Sequence, residues 1–169
     1  LALSDYDHEH AYEGQEYAGQ GRPDFAPADH PGYRQECGAC HLAYPPGLLP
    51  ARSWERIMDG LGDHFGDTAE LPAAEADPIR AYLQSRAADR SPQGRAGSVA
   101  ASLGPDQAPL RIAATPWFRR QHHEIPSAMV AGNPQVGGFG NCQACHRGAE
   151  DGSFDEHRVR IPGYPYWDD

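Results

Sequence analysis

Apolar positions recur with helical spacing in only a few stretches of the chain. After Pro50, residues Trp54, Ile57, Met58 and Leu61 stand at i, i+3, i+4 and i+7, one face of a helix whose end Gly60 and Gly62 weaken. A second helix is expected from Asp77-Pro78, read as a cap followed by proline at the first helical position. Ile79, Tyr82 and Leu83 form its buried stripe, and it ends near Arg86. The preceding stretch, Thr68 to Ala76, reads as a turn or short helix. A shorter helix can start around Asp29, His30 and Pro31, with Asp29 as cap, and another runs from a Thr115-Pro116 cap to a stop at Ile125-Pro126.

The rest of the chain lacks period. From Ala87 to Pro109 it is polar, small and non-periodic, and reads as a linker. From AGNPQVGGFGN through IPGYPYWDD it reads as turn-rich coil. The expected fold is mainly α with much irregular coil, divided near residue 95 into parts 1–95 and 96–169.

Composition changes this picture. Leu, Ile, Val and Phe supply only 24 of 169 residues at a net charge of -10, below the roughly 20% under which a chain reads as disordered. Gly and Pro add 19 and 16 residues that resist regular structure. Either the chain is unfolded or something other than side chains fills its interior. The four cysteines decide, because they stand as Cys37-Gly38-Ala39-Cys40-His41 and Cys142-Gln143-Ala144-Cys145-His146. Each is a C-x-x-C-H, the attachment signature of a covalent c-type haem. A thioredoxin-like site needs a βαβ context, and neither motif has Val- and Ile-rich strands around it. Zinc sites built from two C-x-x-C pairs use a far shorter spacer, and a C-x-x-C disulfide closes too small a loop to stabilise much. None of the three requires the histidine. Two thiols add to the haem vinyl groups while His41 or His146 turns its imidazole onto the iron, and two haems replace the missing apolar core.

Charge narrows the function. All 14 basic residues are Arg against 24 acidic residues, so there is no electrostatic footprint for nucleic acid or an anionic membrane. No apolar run approaches the ~20 residues of a transmembrane helix. Covalent haem attachment in bacteria occurs outside the cytoplasm, so a periplasmic protein with its signal peptide removed is expected. Residues 1–30 carry seven acids against Arg22 and read as an extended acidic arm that favours a basic partner surface.

Each iron of a low-spin electron carrier needs a sixth ligand. Met58 lies within an apolar helical stripe and reads as core filler, whereas Met129 sits beyond Pro126 and stays available. His64 follows Ile57 by seven residues and Leu61 by three, extending their face, and is the candidate ligand opposite His41. His122 shares a face with Phe118 and Ile125 and is the candidate opposite His146, while His123 falls roughly 100° away, toward solvent. His157 is held in reserve, and His8, His10 and His30 read as solvated. Arg34, Arg52, Arg119 and Arg120 are candidate partners of haem propionates, since a guanidinium fork suits carboxylates.

The run CGACHLAYPPGLLPARSWERIMDGLGDHFGDTAEL, the segment TPWFRRQHHEI and the later NCQACH together resemble the bacterial dihaem cytochrome c family, over most of residues 33 to 160. The resemblance implies an N-terminal domain similar to class I cytochrome c and an irregular, haem-wrapping C-terminal domain. It implies a periplasmic electron carrier with a membrane cytochrome b as donor and a monohaem, ligand-binding cytochrome c as acceptor. It also supports His64, because the triplet Asp63-His64-Phe65 belongs to the family pattern. Two rival functions remain: a haem enzyme or ligand sensor with one five-coordinate iron, of the peroxidase or nitrogen-oxide reductase kind, and an electron-feeding subunit like that of periplasmic nitrate reductase.

Overall fold

A computed structural model describes residues 21–167. His8, His10 and most of the acidic segment lie outside the described residues. Six helices appear: α1 Pro31–Cys37, α2 Ala51–Asp59, α3 Ala73–Arg86, α4 Ala96–Ala101, α5 Pro116–Gln121 and α6 Ser127–Val130. Short 3-10 turns join them, and no strand occurs among the described residues.

Proline and glycine explain most helix boundaries. Pro50 caps α2, and the Gly60 amide closes it by bonding the carbonyls of Arg56 and Ile57. Thr115 caps α5, its hydroxyl accepting from the Phe118 amide. Three expectations need correction. The cap of α1 is His30, whose Nδ1 accepts from the Tyr33 amide at 3.1 Å, and not Asp29. The helix α3 starts at Ala73 after Pro72, so Asp77-Pro78 lies inside it and not at its start. Proline in the second turn forfeits its i→i−4 bond and crowds the carbonyl four residues before it, so α3 forms in spite of Pro78 and not because of it. The helix expected to reach Ile125 ends at Gln121, with His122 as C-cap.

Two apolar clusters hold the chain together. The first packs Tyr33, Leu49, Trp54, Met58, Ile79 and Leu83 between α1, α2 and α3. Trp54 Nε1 donates to the Pro46 carbonyl at 2.8 Å, and Arg80 clamps α3 onto α2 through Glu55 at 2.6 Å and Asp59 at 2.9 Å. The second cluster gathers Phe25, Leu48, Ala96, Val99, Trp117 and Phe118, from both sides of residue 95.

That second cluster overturns two local readings. Within the supposed linker, Ala96 and Val99 of α4 are buried, as are Ala87 and Ala88 before it. Small residues leave little periodic signal but pack closely. Residues 21–30, read as part of a solvated arm, are stitched into the body. Phe25 is 1% exposed, Asp24 accepts from the Phe154 amide at 2.7 Å and pairs with Arg95 at 3.0 Å, and the Phe25 amide bonds the Gly152 carbonyl. A Cβ on Gly152 would lie 2.0 Å from the Phe25 carbonyl, and its φ is +75°, so only glycine allows this crossing.

Candidate haem-binding sites

The first C-x-x-C-H begins where α1 ends. Cys37 is the last residue of the helix, and Gly38 turns the chain so that Cys40 and His41 stand on an exposed loop. His41 Nδ1 lies 2.7 Å from the Leu42 carbonyl, an acceptor only, so Nδ1 carries the proton and Nε2 is left with its lone pair. The His64 ring stands 6.2 Å from that of His41, centroid to centroid, with 25° between planes. His64 closes the 3-10 turn Leu61–Asp63 and pairs with Asp67 in a two-way backbone bridge. The next residue, Phe65, has φ +59°, the left-handed region that a side chain occupies at a cost. Phe65 packs edge-on against His64, and the Arg111 guanidinium lies 4.1 Å above the Phe65 ring. Burial, then the nearby His41 and Arg111, lower the His64 pKa, keeping a neutral imidazole.

The second motif is built on the 3-10 turn Cys142–Ala144, with the His146 amide bonded to the Cys142 carbonyl at 2.8 Å. The His122 ring faces His146 at 6.1 Å, with 78° between planes. Its amide still bonds the Phe118 carbonyl at 3.1 Å, and its Nδ1 meets the same carbonyl at 2.9 Å, which again leaves Nε2 free. The ring lies flat on Phe118 at 3.9 Å, with Phe139 edge-on at 5.6 Å. Burial lowers the His122 pKa, and burial followed by the neighbouring His122 pushes that of His146 down to about 4. Both are neutral imidazoles at ordinary pH.

These pairs fit a haem. A metal between two opposed imidazole nitrogens at about 2.0–2.1 Å from each separates the ring centroids by roughly 6.3 Å, and the two pairs stand at 6.2 and 6.1 Å. A haem would supply the four remaining donors from its own ring, so the two imidazoles at each motif are what the chain itself would contribute. Around the second pair lies an apolar pocket lined by Phe25, Trp117, Phe118, Phe139, Phe154 and Trp167 among others. The first motif instead borders a polar cleft with Arg34, Gln35, Gln143 and Glu150 on its walls.

Residues 33–154 match the family model described as dihaem cytochrome c. The chain belongs to the dihaem cytochrome c family. It therefore carries two covalently bound haem c groups and serves electron transport. The diheme cytochrome c of Shewanella baltica is 40% identical with a TM-score of 0.67, the match covering 82% of this chain and 97% of that one. The diheme cytochrome c of Rhodobacter sphaeroides is 44% identical with a TM-score of 0.68, over 76% of this chain and 99% of that one. No curated protein matches.

The other candidates are dispersed. His123 is exposed, its Nδ1 2.9 Å from the Arg120 carbonyl, and His157 is exposed beside Glu156. Met58 is buried in the first cluster. Met129 lies in α6. His30, expected to be solvated, caps α1 and packs on Tyr82 at 5.1 Å. Arg52 is not free for a propionate: it bonds the carbonyls of Gly104, at 2.8 Å, and Gln107, and faces Asp89. Arg34 lies 3.8 Å from Glu150, and Arg119 and Arg120 are exposed at the end of α5. Sequence reasoning missed Arg147, Arg158 and Arg160, which cluster beside His146; the only signal was their place in His-Arg and Arg-Val-Arg. It also missed Arg111 and Tyr44, whose roles depend on contacts distant in sequence.

Proposed function

We propose that the protein is a periplasmic electron carrier with two low-potential haems, held through Cys37, Cys40 and His41 with His64, and through Cys142, Cys145 and His146 with His122. The observation that carries this reading is the pair of opposed imidazoles, 6.2 and 6.1 Å apart, at both motifs. Each haem iron supplies a one-electron ferric/ferrous couple. His41 with His64, and His146 with His122, would hold the two irons, which would leave no coordination site for substrate and electron exchange as the remaining chemistry. Imidazole donates more strongly to the ferric state than a thioether, which lowers the potential below that of a His/Met haem. The same closure argues against a peroxidase or nitrogen-oxide reductase. The partners are redox proteins: a membrane cytochrome b as donor and a monohaem, ligand-binding cytochrome c as acceptor.

The deciding experiment is the ferric EPR spectrum together with carbon monoxide binding by the ferrous protein. Two low-spin signals are expected, the second site giving the greater g anisotropy because its imidazole planes cross at 78° and those of the first at 25°. A high-spin iron, or rapid carbon monoxide uptake, would hand the function to the enzyme or sensor reading.

A further inference from the structure

We infer that Tyr44 is a positioning residue that couples the two haem sites and sets the rate of electron exchange between them. Its ring lies 4.9 Å from that of His41 with 26° between planes. Its hydroxyl donates to the Gly140 carbonyl at 2.6 Å, across 96 residues of sequence. The same carbonyl oxygen lies 3.8 Å from Cys142 Sγ. One side chain thus touches the proximal histidine of the first site and reaches, through a single carbonyl, the sulfur that attaches the second haem.

The neighbourhood is built to hold this contact. The Tyr44 carbonyl accepts from the Tyr33 hydroxyl at 2.9 Å, fixing its backbone to α1, and the ring packs against both apolar clusters. Gly140 matters because a Cβ there would sit 3.3 Å from the Tyr44 oxygen, tighter than most real contacts. In the exchange one electron leaves the ferrous iron at one site and arrives at the ferric iron at the other. No proton moves, no bond forms or breaks, and Tyr44 is neither oxidised nor reduced.

Tyr44 has this role only if His41 holds an iron, as proposed above, and the ferric EPR spectrum of the unmodified holoprotein tests that point separately. The experiment injects a single electron photochemically into fully ferric holoprotein and follows its redistribution between the two haems. Tyr44→Phe keeps the ring and loses the hydrogen bond, and should slow redistribution several-fold. Tyr44→Leu also loses the ring contact with His41 and should slow it further. Gly140→Ala, which displaces the hydroxyl without altering Tyr44, should act like Tyr44→Phe and serves if Tyr44→Leu does not mature. Both low-spin EPR signals should persist in all three. Redistribution at the unmodified rate in Tyr44→Phe and Gly140→Ala would overturn the inference. A slowing that always accompanies a new high-spin signal would overturn it too, because Tyr44 would then merely support the fold.

Discussion

The two haem sites place their opposed histidines at nearly the same separation by different means. At the second, His122 is the C-cap of a helix, bonded twice to the Phe118 carbonyl, stacked on the Phe118 ring and set in an apolar cavity. At the first, His64 rides on a 3-10 turn beside a residue in the left-handed region, and the ring next to it, Phe65, is 48% exposed. A helix terminus with a buried aromatic fixes an imidazole through packing. A strained loop fixes it through a few local bonds and one cation from a distant segment, Arg111. Free energies of local opening follow buried contacts, so with His64 and His122 as the proposed iron ligands, His64 is the one expected to release more readily.

Removing the proposed iron ligands tests the comparison most severely. His64→Ala and His122→Ala should each convert one haem, and only one, to a high-spin form that binds carbon monoxide. His123→Ala should leave both irons low-spin, because that ring is exposed and its Nδ1 meets the Arg120 carbonyl. Optical and EPR spectra check all three. An open haem in His123→Ala with none in His122→Ala would reverse the assignment at the second site.

The two phenylalanines come next. Phe118 is 7% exposed and stacks on His122, so Phe118→Ala should cost about 3–5 kcal/mol and loosen the second site alone. Phe65→Gly should behave differently. Glycine occupies a φ of +59° without the roughly 1–2 kcal/mol left-handed penalty, which offsets the lost contact with His64. Its stability should stay within about 1 kcal/mol of the unmodified protein, while carbon monoxide gains access to the first haem. Thermal unfolding of the holoproteins, paired with ferrous ligand binding, separates the two cases. Equal destabilisation by both variants would mean the sites are held alike.

How much of this could be read from the chain depends on whether a contact is local. The motifs at Cys37 and Cys142 are contiguous. His122 was legible as a candidate because the spacing Phe118–His122 holds to the end of α5, where the His122 amide keeps its bond to the Phe118 carbonyl; the helical phase of Ile57, Leu61 and His64 does not hold, because α2 ends at Asp59 and His64 follows a separate 3-10 turn. Helix ends were less legible, since Asp77-Pro78 has the form of a start yet lies within α3. The packed stretch holding Ala96 and Val99 was unreadable as core because small side chains carry little hydropathy, and burial there is imposed by Phe25, Leu48 and Trp117. Contacts such as Tyr44 to Gly140 and Arg111 to Phe65 join segments whose meeting no local pattern encodes.

Arg111 offers the smallest and sharpest test. Its guanidinium is exposed, 4.1 Å above the Phe65 ring, and an exposed cation–π contact contributes about 0.5–1 kcal/mol. Arg111→Leu should therefore raise the opening equilibrium of the His64 loop by about two- to five-fold, seen as faster carbon monoxide binding to the ferrous first haem. The second haem should be unaffected, since no contact of Arg111 reaches His122 or His146 in the geometry above. Losing a cation near His64 also favours the ferric state, so the potential of the first haem should fall while that of the second holds. Arg119→Leu, a like change on the exposed end of α5, is the control and should alter neither rate. Equal acceleration at both haems would mean that Arg111 acts on the whole fold, and no change at either would mean that the backbone bridge between His64 and Asp67 holds the ligand without it.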